Sequence, residues 1–406
     1  MISKGWKKEP LDHVAQIQTG LAKGQKTVHH PVQLPYLRVA NVQDGYLDLT
    51  HIKTVTVDQS KVTRYSLQKG DVLLTEGGDF DKLGRGAVWN GSIEHCLHQN
   101  HVFAVRPNPE IILSEFLSML TGSSYGKAYF LRCSKQSTNL ASINSSQLKE
   151  FPVLYPPLPE QKAIVAVLSM WDRAIEKTVR LIAAKEDQVS WLRNMLIIQS
   201  EQGEWKTIKL GEVCSPITRK NSVGETNVLT SSAQHGLVSQ LNYYNKSVSA
   251  ENLEGYYLIQ RGEFAYNRSS SIGYPFGTIK RLDDHEQGLL STLYLCFALE
   301  PSAKCNSNFL LNVFESGLLN RQLRSICQEG ARSHGLLNIT KSDFFGITIS
   351  LPSLPEQNRI AETLNGMRME IKLLKSLADK YKQQKLGLMQ KLLTGAWKVQ
   401  LEGACR

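Results

Sequence analysis

Leu158-Pro159-Glu160-Gln161 opens a long amphipathic segment, and Leu354-Pro355-Glu356-Gln357 opens another 196 residues later. The same offset holds upstream, where Ile143 matches Ile339 and Phe151 matches Ile347. It holds downstream, where Ile164, Leu168, Trp171 and Ile175 match Ile360, Leu364, Met367 and Ile371. A solenoid repeat is roughly 20–50 residues, so this spacing describes a whole domain with its helix, copied once.

Each segment reads as a helix. Pro159 and Pro355 stand where a first-turn proline is tolerated, and Glu160 and Glu356 suit the positive end of the helix dipole. Apolar positions then step by four and three. The first copy runs Ile164, Leu168, Trp171, Ile175, Thr178, Ile182, Lys185, Val189, Leu192, Leu196. The second runs Ile360, Leu364, Met367, Ile371, Leu374, Ala378, Tyr381, Lys385, Leu388, Leu392. This heptad seam predicts coiled-coil pairing of two helices, each about 50 Å long at 1.5 Å per residue. Parallel and antiparallel pairings are both open, because a whole globular domain lies between the helices.

The N-terminal Gly5-Trp6-Lys7, with Leu11 and Val14, recurs as Glu204-Trp205-Lys206 with Leu210 and Val213. The chain therefore divides into a globular domain at 1–155, a helix at 156–200, a second globular domain at 201–351, a second helix at 352–396 and a tail at 397–406. Strands are expected at Gly70–Leu74 and His101–Val105, and at Gly262–Tyr266 and Leu293–Phe297. Helical spacing marks 113–131 and 307–327. The expected fold is mixed α/β, of the α+β kind: two similar globular domains alternating with two long paired helices. Between the anchors the halves diverge, which predicts one scaffold with two specificities.

The 47 Lys and Arg exceed the 37 Asp and Glu, for a formal charge of +10. That excess suits a polyanionic partner, with the phosphate backbone of double-stranded DNA the first candidate. No apolar run reaches the ~18 residues of a membrane span and no signal-peptide core follows the N-terminus, so no membrane partner is expected. Seven scattered cysteines without a C-x-x-C fit reduced thiols in the cytoplasm.

Two pairs of loops are candidate DNA contacts. Gly77-Gly78-Asp79-Phe80-Asp81-Lys82-Leu83-Gly84-Arg85-Gly86 combines backbone freedom with the cations Lys82 and Arg85. Arg268, Ser269 and Ser270 stand at the matching place in the second domain. Further on, Lys135, Gln136 and Ser137 align with Arg332, Ser333 and His334 through the 196-residue offset. Both sets are rich in side chains that pair with phosphates or base edges. A solvated polar loop would look much the same.

His95-Cys96-x-His98-x-x-His101 has metal-like spacing. Strand alternation puts His95 and His101 on one face and His98 on the other, so no metal site is expected. Gly122-x-x-x-Gly126-Lys127-Ala128 is one residue short of a P-loop and lacks its Ser or Thr. Neither H-E-x-x-H nor G-x-S-x-G occurs. No catalytic residue is expected.

With these residues in place, the chain resembles the specificity subunits of bacterial type I restriction-modification systems. The duplicated Leu-Pro-Glu-Gln stretch, the heptad helices and the two dissimilar domains carry the resemblance. Glu76-Gly77-Gly78-Asp79, Leu83-Gly84-Arg85-Gly86 and His98-Gln99-Asn100-His101 resemble a recurrent form of that family's target recognition domain. The resemblance implies a non-catalytic subunit whose two domains each read half of a bipartite, asymmetric DNA site. It implies that Ile164, Leu168, Trp171, Ile175 and Ile182 pair with Ile360, Leu364, Met367, Ile371 and Leu374 as spacer and docking platform. It also implies two methyltransferase subunits and motor-nuclease restriction subunits as partners, which use S-adenosylmethionine, ATP and Mg2+ while this chain binds no cofactor. Two other readings fit the residues. One is the specificity half of an enzyme whose companion chain both methylates and cleaves. The other is a coiled-coil adaptor with no DNA role.

Overall fold

The computed structural model describes residues 5–22, 29–78, 80, 83–136, 141–199, 205–232, 236–244, 252–271, 273–329 and 337–399. Contacts divide the chain into two units, Met1–Val179 with Ser376–Arg406, and Arg180–Lys375. The long helices span Leu158–Arg193 and Leu354–Leu392. At 1.5 Å per residue they are about 54 and 59 Å long. The first widens to a π-helix over Asn194–Gln199. The division falls within both helices, so each unit holds a globular part, a stretch of its own following helix and a stretch of the other.

In the first unit, strands Lys7–Pro10 and Pro152–Tyr155 pair antiparallel and bring the ends of the globular part together. The central sheet orders Ala15–Thr19, Val102–Pro107, Val72–Thr75 and Gly86–Val88, all antiparallel. The second unit repeats this with Lys206–Lys209 on Thr348–Leu351. Its central sheet orders Cys214–Pro216, Leu295–Leu299, Phe264–Asn267 and Thr278–Arg281. The sides of the sheets differ. The first unit adds a three-stranded sheet of Lys53–Asp58, Pro31–Leu37 and Leu97–His98, the last pair parallel. The second adds two separate two-stranded sheets, Leu229–Ser232 with Gly236–Ser239 and Tyr257–Gln260 with Gln287–Leu290.

Shared apolar anchors build matching cores. Trp6 meets Phe116 at 6.4 Å between ring centroids, and Trp205 meets Phe309 at 5.9 Å, both edge to face. The repeated turns are fastened alike. Asp71 accepts from the Gln68 N–H at 2.8 Å and Glu263 from the Gln260 N–H at 2.6 Å. Asp71 also takes a two-pronged pair from Arg106, both bonds 2.8 Å. The helical stretches break where small polar residues cap. Ser114–Gly122 is followed by Ser124–Cys133, and Ser307–Glu315 by Asn320–Ile326.

The repeated glutamine is buried in both units. Gln161 Oε1 accepts from the Leu113 N–H at 2.9 Å, and its Nε2 donates to the carbonyls of Ile111 and Pro156. Gln357 accepts from the Asn306 N–H at 2.8 Å and donates to the carbonyls of Lys304 and Pro352. A carboxamide can donate and accept at once, so one side chain pins each helix start to a loop of its globular part. Glu160 accepts from the Trp6 indole N–H at 3.3 Å.

The seam residues take two roles. Ile164 and Leu168 are fully buried in the first globular core, which also holds Met389, Leu392 and Leu393 from the end of the second helix. Ile360 and Leu364 are buried in the second core, joined by Ile197 and packed on by Leu192 and Leu196. Burying each such side chain contributes about 1.5–3 kcal/mol. Further along, Trp171, Ile175, Ile182, Met367 and Leu374 are half-buried, and Ile371 is buried. In the first unit Trp171 packs on Tyr381 and Asp172 pairs with Lys385. In the second, Lys185 pairs with Glu370 at 2.9 Å and Glu186 with Lys375 at 2.7 Å. The start of each helix lies with the end of the other in both units, so the pairing is antiparallel.

One ionic hub lies in the second unit. Glu315 receives Lys280 at 3.1 Å and Arg193 at 3.5 Å, and Arg368 binds both it and Asn312. Burial pushes the Glu315 carboxyl pKa upward, but Arg368, Lys280 and Arg193 outweigh it and hold the value below the ordinary range. The corresponding helix of the first unit places Met119 and Gly122 at the positions of Asn312 and Glu315.

Burial pushes the thiols of Cys96, Cys214, Cys296 and Cys305 up to about 12. Among the described residues no helix is long and apolar enough to cross a membrane.

Candidate nucleic-acid interface

In the first unit three sequence segments converge. Gly77–Gly78, Ala141–Ser142 and Lys135–Gln136 form a small antiparallel sheet with Ala141 opposite Gly78 and Gln136 opposite Ala141. Glu76 ties in the third segment. Its N–H donates to the His101 carbonyl at 3.0 Å, and its carboxylate lies 2.6 Å from His101 Nδ1. Glu76–Gly78, His101, Lys135–Gln136 and Ala141–Ser142 thus share one frame, which their spacing in the sequence does not reveal.

The glycines of this segment serve the protein's own packing. A Cβ on Gly77 would lie 2.7 Å from the Ala141 carbonyl oxygen. One on Gly86 would strike the Leu74 side chain, and one on Gly84 the Phe130 ring, with Gly84 also at φ +67°. Only glycine fits these close approaches.

Arg85 is half-buried. Its Nη1 donates to Gln43 Oε1 at 3.1 Å, and its carbonyl accepts from the Thr75 N–H. Around it, Gln43-Asp44-Gly45-Tyr46 makes a tight hairpin turn. Gly45 takes φ +85° and donates to the Gly86 carbonyl at 2.9 Å. Asp44 pairs with Lys127 at 2.8 Å. The Asp-Gly dipeptide is a strong hairpin signal and could have marked this brace in the sequence. Lys135 is exposed on the strand edge.

The second unit assembles matching parts differently. Gln328–Glu329 pairs with Leu337–Asn338, and the Leu337 N–H donates to the Arg268 carbonyl at 2.8 Å. Arg268 is half-buried, donating from Nε to the Leu293 carbonyl at 2.9 Å and from Nη1 to the Ile339 carbonyl at 3.4 Å. Its guanidinium therefore holds the frame together. Ser269 and Ser270 are exposed beside it. Ser271 and Tyr274 exchange backbone hydrogen bonds of 3.1 and 2.9 Å to close the next turn. Lys82, Ser137, Arg332, Ser333 and His334 lie outside the described residues, as does the Gln136 side chain.

The histidine cluster separates. His98 is buried, its Nδ1–H donating to the Val102 carbonyl at 2.7 Å. Burial pushes its pKa below the ordinary imidazole value, which keeps the ring neutral. His98 is thus a core residue, neither a metal ligand nor a surface contact. His95 and His101 are exposed. Among the described residues no group of His, Cys, Asp or Glu could hold a metal ion.

Comparison with known proteins matches this arrangement. The family described as "Type I restriction modification DNA specificity domain" covers residues 3–184 and again 202–380. The "Putative type I restriction enzyme MjaX specificity subunit" of Methanocaldococcus jannaschii is 25% identical, spanning 98% of this chain and 95% of that one. A chain solved in work on complex assembly and conformational transition of the type I R-M system superposes with a TM-score of 0.61 at 16% identity. That match covers 98% of this chain and all of the other. The type I restriction-modification S subunit from M. genitalium gives 0.52 at 14% identity over 96% of each chain. At these identities the structures speak for the fold alone, while the twofold sequence match covers both globular parts. The chain belongs to the type I restriction-modification DNA specificity family, the DNA-recognition subunits of these complexes.

Proposed function

We propose that each globular part reads one half of a bipartite, asymmetric DNA site, and that the chain itself neither methylates nor cleaves. The observation that carries this reading is one central sheet order used twice beneath two different outer frames. The first frame carries Lys135 and the second Ser269 and Ser270, and the candidate contacts Lys82 and Ser137 of the first part and Arg332 and His334 of the second are assigned from sequence alone. A common scaffold with unlike faces suits two unlike targets, and the net charge of +10 suits the backbone they share.

In this reading the paired helices set the gap between half-sites and dock two methyltransferase subunits, with motor-nuclease subunits completing the complex. Exposed apolar side chains off the seam suit protein docking: Met170 and Leu386 in the first unit, Trp191, Met369 and Leu373 in the second. S-adenosylmethionine, ATP and Mg2+ are assigned to the partner subunits.

Methylome sequencing of a host carrying this chain with its methyltransferase tests the proposal. One split motif with two dissimilar halves is expected. A symmetric motif, or methylation without sequence preference, would overturn it. Incubation of the purified chain alone with S-adenosylmethionine, ATP, Mg2+ and target DNA is expected to leave the DNA unchanged.

A further inference from the structure

Large apolar side chains exposed to water are normal when scattered singly. In the first globular part they are few. Among its described residues only Tyr46 and Phe80 stand out, at 61% and 41% exposure, and the turn that carries Tyr46 adjoins the frame around Arg85. Phe80 lies within the glycine-rich segment itself. Tyr46 sits on the Gln43–Tyr46 turn, where the Gln43 N–H donates to its carbonyl at 3.0 Å. That turn is fastened at three points, by Gln43 to Arg85, Gly45 to Gly86 and Asp44 to Lys127.

The second globular part exposes more of them, Val223, Leu241, Tyr243, Tyr274 and Leu293 among its described residues, and of these Leu293 and Tyr274 adjoin the frame around Arg268. Leu293, 57% exposed, offers its carbonyl to Arg268, and exposed Tyr274 closes the turn begun at Ser271. Each frame therefore holds an apolar side chain largely in solvent beside an arginine. Left there, it forgoes most of the burial energy it could gain. A partner that supplies apolar surface next to phosphates restores that burial. Duplex DNA does so through the thymine methyl and the deoxyribose faces in its grooves. A Tyr on a fixed turn loses little conformational entropy on contact.

We propose that Tyr46 and Leu293 are specificity-determining residues that make apolar contact with DNA, Tyr46 in the first half-site and Leu293 in the second. The inference rests on the reading of each globular part as a half-site reader.

The test uses the assembled methyltransferase complex with wild-type chain, Tyr46→Ala, Tyr46→Phe or Leu293→Ala. Binding is measured to duplexes in which one half-site at a time is randomised, and the bound fraction is sequenced. Tyr46→Ala should weaken cognate binding about five- to a hundredfold and blur the first half-site only, the range of a lost base contact. Tyr46→Phe should retain the preference, and Leu293→Ala should blur the second half-site only. The salt slope should not change, because no phosphate contact is removed. An unchanged first half-site in Tyr46→Ala overturns the inference. So does a uniform loss on all sequences with a shallower salt slope. A wild-type complex without sequence preference would instead sink the half-site reading itself.

Discussion

The indole of Trp171 meets the ring of Tyr381 edge to face, with centroids 5.6 Å apart and planes at 73°. Trp171 lies in the first half of its helix and Tyr381 in the second half of the other, so this contact requires an antiparallel seam. Edge-to-face pairs contribute about 0.5–1.5 kcal/mol beyond their buried area. Trp171→Ala should lower stability, and Ile371→Asp should lower it more. A carboxylate placed at that buried seam position costs on the order of 3 kcal/mol or more. Thermal melting and co-purification with the methyltransferase check both. Unchanged melting and assembly in Ile371→Asp would remove the seam from the account.

Gln161→Ala should strand the Leu113 N–H and the Ile111 and Pro156 carbonyls beside a buried cavity. Each buried group left without a partner costs about 1–3 kcal/mol. Gln357→Ala should do the same to Asn306, Lys304 and Pro352. Urea unfolding of each variant measures the loss. If both variants unfold like the wild type, these carboxamides are not what holds the helix starts.

Glu315 carries a pH signature. Its pKa in the folded chain lies below the ordinary glutamate value, so its contribution is present above the unfolded value and fades as pH falls through the folded one. Glu315→Gln should therefore be less stable than wild type at pH 7, and the gap should close as the pH drops below about 4.5. A gap that is constant from pH 7 to pH 3 would mean the charge is immaterial.

The cations divide between reading and framing. Lys82→Ala and Lys135→Ala should weaken all sequences alike if they meet phosphates, each reducing the salt slope by about 1. Loss of a base contact should instead cost about 1–3 kcal/mol at one position. Arg85→Ala should disturb only the first half-site, and Arg268→Ala and Arg332→Ala only the second. Because Arg268 braces Leu293 and Ile339, its loss should also lower the melting temperature. Binding to duplexes with one half-site scrambled separates these cases; equal responses of both half-sites would count against independent reading.

Helix length is expected to set the gap. Inserting one heptad after Ile182 and one after Ala378 keeps the seam in phase and adds about 10 Å at 1.5 Å per residue. At 3.4 Å per base pair this is about three base pairs. The doubly lengthened protein should prefer a longer gap with unchanged half-sites, read by methylome sequencing. A single insertion should disrupt pairing and lose activity. An assembled double insertion that keeps the original gap would leave the helices a dock but not a ruler.

The seam was legible in the sequence because helical periodicity is local: every position from Ile164 to Leu196 and from Ile360 to Leu392 named by the 4-3 stepping is buried or half-buried. The duplicated anchors likewise determined two globular parts and two helices. The direction of pairing was not legible, since a heptad face looks the same to a parallel and an antiparallel partner. It was decided by tertiary contacts such as Trp171 with Tyr381. The candidate faces show the same division. Sequence alone marked the glycines, Arg85 and Arg268, because residue type carries their chemistry. Only the fold brought Glu76 to His101 and Ala141 to Gly78, and turned Gly84 toward Phe130 and Arg268 toward backbone carbonyls. Those pairings join residues far apart in the chain, and closing such loops is the work of the packed core rather than of any local pattern.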